Sequence, residues 1–588
     1  MSTDHRTDTL PATIRRALAA WLRRDGLIVA LYLLATVVLT YPLIVHLDNR
    51  WLAYRDVDTY SKLWDHWWLA RTLSTGQPLN TTRDLFYPIG LDLTFHSISW
   101  TSTVLIGLLA PLLGNIAAYN FNILFAVFTS AYAAYLLIRT LVQHRGAAWL
   151  GGLIFSFAPY HMAHTGGHPD LTQLAAIPLV ILFFTRALTR SSLRWALFAA
   201  FMLGLVCFTG LYLFEFTIIT LLPAFIYTAV TQKRWRAPRF WLTLMVFGLA
   251  SALLTSPRVV PLLSSPDALS SVIEEKYSAD TLQTDLLAYL TPSHFNPIFA
   301  PYVNEIAARF EMNRKWPAYL GLIPIILIIL AATWRKSRLV AWSWLLLGLF
   351  FLVMSLGPVL RFDGQIYEKI SLPYGWLEWL PFIRIVARPD YFVLGLLLPL
   401  AVVAAIGCDR CLGALDQRRR AQAALLMILT AVLLFEYWNG PYPGFELSVH
   451  PVYQQLAQEP GDFAIIDLPM GRRESKDYTF DQTIHQRPIV EGLSGRTPPE
   501  AYQYIDGNPL LARWRSQQPL DCSALSAAVI DGALQQLLND GFRYVIVHHD
   551  GGPLPAASAA YFTAAPRFAD ETLSLYALSD LQTAALCR

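Results

Sequence analysis

Eleven apolar runs punctuate this chain, at about residues 27–47, 117–138, 146–163, 172–188, 194–209, 211–230, 240–262, 318–334, 339–357, 391–408 and 421–438. Each approaches the roughly 20 residues that a helix needs to cross about 30 Å of hydrocarbon. Hydrophobic residues make up 55% of the 588 positions and charged residues only 15%, well below the roughly 25% of an ordinary soluble protein. The chain therefore reads as an integral membrane protein. Its first run is longer than a signal-peptide core and is followed by no small-residue cleavage site, so it reads as a retained helix. A formal net charge of +3, with basic residues in short clusters between the runs, excludes a nucleic-acid partner.

Those clusters report topology. They lie at Arg15, Arg16, Arg23 and Arg24; Arg139 and Arg145; Arg186, Arg190 and Arg194; Lys233 to Arg239; Arg335 to Arg338; and Arg418 to Arg420. By the positive-inside rule these are cytoplasmic. Residues 1–25 then form a cytoplasmic N-terminal segment, and residues 26–440 a transmembrane domain with long outer loops at 48–100, 258–317 and 358–390. Short outer turns fall at 161–171 and Thr209-Gly210. Thr101 to Leu113 is too short to cross, and counting it would place Arg139 and Arg145 outside, so an embedded or re-entrant segment is expected. After Trp438-Asn439-Gly440-Pro441 polar residues return. Phe463 to Leu468 and Phe542 to His548 read as strands and Ser523 to Asn539 as an amphipathic helix. The expected architecture is an all-α polytopic membrane bundle of about 11–13 helices with a C-terminal extracytoplasmic α/β domain over 441–588. No Gly-rich phosphate loop accompanies its strands. The C-x-x-C at Cys408 and Cys411 lacks a second ligand pair and reads as structural. Cys522 and Cys587 have the option of pairing in an oxidising compartment.

Candidate chemistry collects in the outer loops. Asp56 and Asp58 suit a general base or a shared divalent cation, and equally suit a solvated turn. Lys62 to Leu73 looks like an amphipathic helix in the headgroup plane, anchored by Trp64, Trp67 and Trp68. The second loop packs His161, His164, His168 and Asp170 into ten residues, as acid/base or phosphate-orienting groups or as a polar turn; Gly166-Gly167 should break any helix there. Beyond it, His294 and Glu311 are weaker candidates among surface charges. Arg384 and Arg388 offer planar forks to phosphate oxygens or snorkel to headgroups, and Asp390 is placed to cap the following helix. Glu215, beside Tyr212 in an apolar run, should face a cavity or a cation, since an unpaired charge in lipid is costly.

Asp58 with Trp64-Asp65, Leu85-Phe86-Tyr87-Pro88, Phe157-Ala-Pro-Tyr160 with Gly167-His168, Phe208-Thr-Gly-Leu-Tyr212, Tyr319-Leu-Gly-Leu322 and Leu380-Pro-Phe-Ile-Arg384 follow one another in an order that resembles the GT-C class of membrane glycosyltransferases. The resemblance covers about residues 25–440. It implies transfer of a sugar, with inversion, from a polyprenyl-phosphate donor to a glycan, lipid or protein acceptor on the outer face of the plasma membrane. It further implies Asp58, less so Asp56, as base or metal ligand, Asp170 with His168 as the second-loop pair, and Arg384 or Arg388 on the donor phosphate. His164, Tyr212, Glu215 and His294 complete the substrate-binding set, and Mg or Mn, held by Asp58 and Asp170, is the cofactor it allows. Histidines stand where better-known members carry a tidy acidic motif. The rival readings are a transporter or lipid flippase and a noncatalytic assembly protein; charges gathered in loops on one side, not at the midplane, favour the enzyme.

Overall fold

The computed structural model describes residues 12–54, 59–94, 96–264, 282–333, 338–380, 383, 388–446, 449–472, 474–494, 497, 499–518, 526–549, 561–562 and 564–581. Asp56, Asp58, Arg384, Cys522 and Cys587 lie outside these residues. Helices dominate: α1 (Ala12–Leu39), α2 (Thr59–Thr75), α3 (Trp100–Leu113), α4 (Asn115–Ile138), α5 (Arg145–Phe157), α6 (Pro159–Thr165), α7 (Pro169–Thr172), α8 (Ala176–Arg190), α9 (Leu193–Thr209), α10 (Leu211–Ile226) and α11 (Pro238–Ser264). They are followed by α12 (Ala300–Ala307), α13 (Leu322–Ala332), α14 (Arg338–Ser355), α15 (Pro373–Leu377), α16 (Phe392–Gly413) and α17 (Arg419–Tyr437). A helix coincides with each of the eleven apolar runs. Six spans, Asn115–Ile138, Pro169–Arg190, Leu211–Val230, Pro238–Ser264, Pro389–Gly413 and Arg419–Tyr437, are long and apolar enough to cross a membrane. The chain is a multi-pass membrane protein.

Short connections make consecutive helices antiparallel, and α16 sits at the centre, buried along its whole apolar length and packed on α5, α13 and α14. Glycine permits the closest approaches. A Cβ on Gly407 would collide with the backbone of Leu327 in α13, and one on Gly152 with the Tyr32 hydroxyl of α1. Prolines inside α10, α11 and α16 are tolerated, as is usual where neighbouring helices cover the freed carbonyls.

The two ends of the bundle differ in chemistry. At one end Asp25 pairs with Arg24 at 2.8 Å and Arg145 at 3.7 Å, and His144 bridges Asp409 and Asp416. At the other end the long connections interlock through backbone bonds: Tyr54 N to Gly166 O, Thr284 N to Ser355 O, Leu320 N to Tyr289 O and Asp390 N to Leu282 O. Helix α3 begins there, where the Thr101 and Thr209 hydroxyls meet at 2.8 Å. It also ends there, where Asn115 meets His66 and α4 starts. At 14 residues, α3 is shorter than each of the six candidate spans.

The C-terminal region carries a mixed four-stranded sheet of order β5-β6-β8-β7, after two short antiparallel pairs, β1 (Thr81–Thr82) with β2 (Leu91–Asp92) and β3 (Val359–Phe362) with β4 (Gln365–Ser371). Strands β5 (Ala464–Leu468) and β6 (Phe542–His548) are parallel, and β8 (Leu573–Ala577) runs antiparallel to β6 and to β7 (Phe568–Ala569). Helices α18 (Pro451–Gln458), α19 (Ser475–His485), α20 (Pro509–Ser516) and α21 (Ala527–Asn539) cover it. Ile465, Ile466, Val545, Ile546 and Val547 are wholly buried, as expected of parallel strands covered on both faces.

This core is not confined to the residues after 440. Leu85 and Phe86 of the first loop are buried in it, and residues 84–87 pair with Ile489, which bridges to Ile465 of β5. Helix α2 joins them through its tryptophans. Trp64 and Trp68 stack at 5.4 Å, both fully buried, so the reading of these two as headgroup anchors is corrected: their indoles serve a protein core. Trp64 Nε1 donates to Gln482 Oε1 of α19 at 2.7 Å, while Gln482 Nε2 donates to the carbonyls of Asp84 and Arg487. Gln482→Leu would leave the Trp64 donor buried without a partner, a loss of roughly 1–3 kcal/mol. A lower thermal unfolding midpoint of the purified full-length chain is the expected readout, and an unchanged midpoint would refute the role given to this contact.

Candidate functional site

The loop end of the bundle holds one concentrated set of buried polar side chains, and the second loop supplies most of it. Ala158-Pro159 ends α5 and starts α6 with proline at its first turn, where a missing N–H costs nothing. Gly166-Gly167 then stop α6, as expected. His161 and His164 ride on α6, and His168 precedes Pro169 at the start of α7. His161 is spent on the fold, with Nδ1 at 2.6 Å from Ser156 O and Nε2 at 2.9 Å from Thr172 O. His164 is different. Its ring stacks on Trp316 at 4.3 Å, its Nδ1 faces His168 Nδ1 at 3.4 Å, and its Nε2 is buried with no hydrogen-bond partner. Burial, reinforced by His168 and Arg388, holds its imidazole well below the usual range. It is neutral.

The fourth loop meets this histidine pair at the head of α16. Arg388 grips Asp390 with two bonds of 3.1 and 2.8 Å and lies over the Tyr391 ring at 4.3 Å. Tyr160 of α6 donates to both the carbonyl and the carboxylate of Asp390. Asp390 therefore ties loops together in place of capping α16. Much of the Arg388 fork is consumed in that pair. Tyr391 in turn packs on Tyr212 at 5.1 Å and on His164, and feels the charges of Arg388, Asp390 and Asp170.

Asp170 closes the cluster from α7, wedged against the α9–α10 turn, where a Cβ on Gly210 would stand 2.9 Å from the Asp170 carbonyl. Its Oδ1 is buried without a partner. The charge that answers it is Arg258, which is not among the predicted site residues. Helix α11 continues through Pro257 and Pro261 to Ser264. Arg258 Nη1 is buried with no hydrogen-bond partner, and the guanidinium lies within electrostatic reach of Asp170, Asp65 and Tyr212. The usable signal was an arginine embedded in an apolar run. One helical turn away, Thr255 forms the near wall of a groove of about 430 Å³ lined by Phe214, Ile218, Leu222, Phe225 and Phe247. Ile218 and Leu222 are among its exposed residues, so the groove opens outward from the bundle.

Asp65 approaches from α2. Its carboxylate sits 2.7 Å from His96 Nε2 and 3.4 Å from Lys62 Nζ; burial alone would raise it, but those two charges outweigh burial and hold it below the usual range. Tyr54 N donates to Gly166 O of the second loop, and Thr59 is buried at the start of α2.

Of the predicted residues, the fold thus brings together His164, His168, Asp170, Arg388 and Tyr212. Glu215 lies one turn along α10 from Tyr212, its Oε1 buried without a partner; among the described residues it forms no ion pair. His294 stacks on Phe295, which meets Tyr54, at the margin of the cluster. Glu311 belongs to a surface pair with Arg361. Among the described residues no three His, Cys, Asp or Glu side chains converge as metal ligands. Asp170, beside Arg258, offers a single carboxylate in positive surroundings, so these residues do not fit a divalent cation.

Asp390→Asn keeps the shape of the clamp but removes the charge facing Arg388. Breaking a buried pair from one side costs about 3–5 kcal/mol, against about 1 kcal/mol for the single hydroxyl lost in Tyr160→Phe. Thermal unfolding of the two variants should rank them in that order.

Comparison with known proteins places this geometry in context. The family model described as "Domain of unknown function (DUF6311)" matches residues 27–436. No curated protein matches. Solved structures do. The oligosaccharyltransferase AglB from Archaeoglobus fulgidus, in complex with an inhibitory peptide and a dolichol-phosphate, has a TM-score of 0.50 and 11% identity over 96% of this chain and 75% of that one. Arabinofuranosyltransferase AftD from Mycobacteria has a TM-score of 0.57 and 15% identity, over 95% of this chain and 41% of its own. ArnT from Cupriavidus metallidurans in the apo state has a TM-score of 0.50 and 12% identity, over 97% and 99%. All three are GT-C glycosyltransferases. The chain therefore has the GT-C fold and belongs to the DUF6311 family.

Proposed function

We propose that this protein is a glycosyltransferase of the plasma membrane that moves a sugar from a polyprenyl-phosphate donor to an acceptor at its loop-bearing face. The observation that carries the reading is Arg258: a guanidinium with a free buried nitrogen, beside Asp170 and at the head of an apolar groove open to lipid. A polyprenyl chain suits the groove and its phosphate suits Arg258. The dolichol-phosphate in the AglB complex supports a donor of this class.

In this reading the acceptor oxygen bonds to the anomeric carbon as the bond from that carbon to the phosphate oxygen breaks, with inversion. The acceptor proton passes to a carboxylate, and the polyprenyl phosphate leaves as an anion held by Arg258. Asp58, one residue before the buried Thr59, is the leading base, with Asp56 behind it. Asp170 and His168 orient the groups from the second loop. His164, Trp316, Tyr212 and Tyr391 line the sugar position, where neutral rings stack without competing for the phosphate charge. Arg384 is a second phosphate ligand, while Arg388, already paired to Asp390, fixes the pocket. Glu215 and His294 bound the substrate from opposite sides. Magnesium or manganese would require Asp56 and Asp58 as further ligands.

The topology assigned to this activity has eleven crossings, a cytoplasmic N-terminus, and residues 441–588 outside the cell as an α/β domain that meets the acceptor. The burial of first-loop residues in the core of that region supports an outer position for both.

Purified protein in nanodiscs, offered radiolabelled polyprenyl-phosphate sugars, tests the proposal. Arg258→Gln should lower transfer about 10²–10³-fold, the scale of losing one donor to developing negative charge, and Arg258→Lys should lose less. Asp58→Asn transferring as well as wild type would remove Asp58 as the base. Passage of the lipid across the bilayer with no covalent product would replace the enzyme by a transporter.

A further inference from the structure

The fourth loop contains an element the site does not use. After α14, strands β3 and β4 form a hairpin around Asp363-Gly364, and α15 follows directly. Its turn is fixed. Asp363 N and Gly364 N donate to the Asp285 carboxylate at 3.1 and 2.7 Å, Arg309 binds Asp363 at 2.8 Å, and Arg361 reaches Glu311.

Outside that turn strand β4 is bare. Strand β4 is exposed along its whole length. Ile366 and Ile370 are each 45% exposed and Tyr367 is 44% exposed. Successive strand residues point to opposite faces, so Ile366 and Tyr367, paired with Arg361 and Leu360, present apolar surface on opposite faces, while Ile370 lies in the register break between Tyr367 and Ser371. Trp376 and Trp379 continue the surface at 61% and 74% exposure. The Trp376 indole N–H is already satisfied by Ser371 at 2.8 Å, which leaves its ring as a purely apolar face.

We propose that this hairpin, with Trp376 and Trp379, is inserted into the headgroup layer of the membrane leaflet on the loop side, and that its partner is phospholipid. Apolar side chains on both faces of a two-stranded hairpin cannot be covered by one flat protein surface, whereas a fluid interface surrounds them. Tryptophan and tyrosine favour this level of a bilayer because a ring and a polar tip are served at once. Charge agrees: Arg361, Asp363, Glu368, Lys369 and Glu378 mix both signs, which suits a zwitterionic layer better than a strongly acidic or basic partner. The surface is continuous with the bundle, since α14 ends at Ser355 immediately before it and exposes Leu346 and Leu349 along its length. Tyr374, buried in α15 against Phe392, links it to the head of α16. The proposal needs only the membrane character of the chain and not the transfer reaction.

The full chain carrying a genetically encoded environment-sensitive fluorophore at position 370, reconstituted in phosphatidylcholine liposomes with nitroxide-labelled headgroups, tests it. A second protein carries the probe at the exposed Val529 of α21 as the reference. Quenching at 370 at least about twofold stronger than at 529 is expected for an element seated some 5–10 Å into the headgroup and acyl boundary, together with protection from aqueous iodide. Equal quenching at both positions overturns the proposal. Protection from iodide without nitroxide quenching also overturns it, because protein would then cover the hairpin. Trp379→Ser, remote from the turn contacts, should weaken the nitroxide effect at 370; no change in that effect would count against insertion.

Discussion

The Arg388–Asp390 clamp is the interaction on which the loop end depends. The apolar window of α16 is buried throughout, so the polar contacts that set its depth and rotation sit at its ends. Asp409 and Arg410 are held at one end, and Asp390 is held at the head. There Asp390 receives Arg388, accepts from Tyr160 of α6, and binds Leu282 O through its backbone N–H. Three separate loops meet at this one residue. Burial opposes the charge on Arg388, but Asp390 outweighs burial and keeps it ionised, which makes the clamp permanent across the ordinary pH range.

That permanence divides the work between two arginines. A guanidinium already matched by a carboxylate adds little net field, so Arg388 shapes the pocket more than it attracts an anion. Arg258 stands at the end of a membrane helix with Asp170 and Asp65 as its electrostatic company and a nitrogen left unbonded. Holding such a cation in an apolar helix costs on the order of 2.5–3.5 kcal/mol at mid-membrane. The cost is smaller near the interface, and a bound anion would offset it.

Much of the bundle was legible because apolar length is a local property: each run from 27–47 to 421–438 became a helix, and Phe542 to His548 became β6 with those bounds. What escaped was non-local. Trp64 and Trp68 carry the amphipathic signature of membrane anchors, yet the partner that buries them lies some 400 residues away in α19, and no periodicity encodes that distance. Arg258 sits where the 240–262 run overlaps the outer loop drawn from 258, and its helix continues past it to Ser264 because prolines are accommodated inside membrane helices. The hairpin β3–β4 lacks the one-sided alternation of an ordinary strand because both of its faces are exposed. The boundary near residue 440 was visible in composition, whereas the shared core was not, since Leu85 and Phe86 look like any loop hydrophobics until Gly492 and Tyr502 close on them.

The shared core also bears on how the site is held. Helix α2 carries Asp65 toward Arg258 on one side and inserts Trp64 and Trp68 into the C-terminal core on the other. A rigid helix with one face in each environment transmits position between them, because packed interiors yield little to strain. Residues 84–87 add a second tether through their pairing with Ile489. The C-terminal sheet is thus part of the frame that fixes the first loop against the membrane helices. A detachable acceptor-binding appendage would leave α2 with two bare tryptophans and half a core.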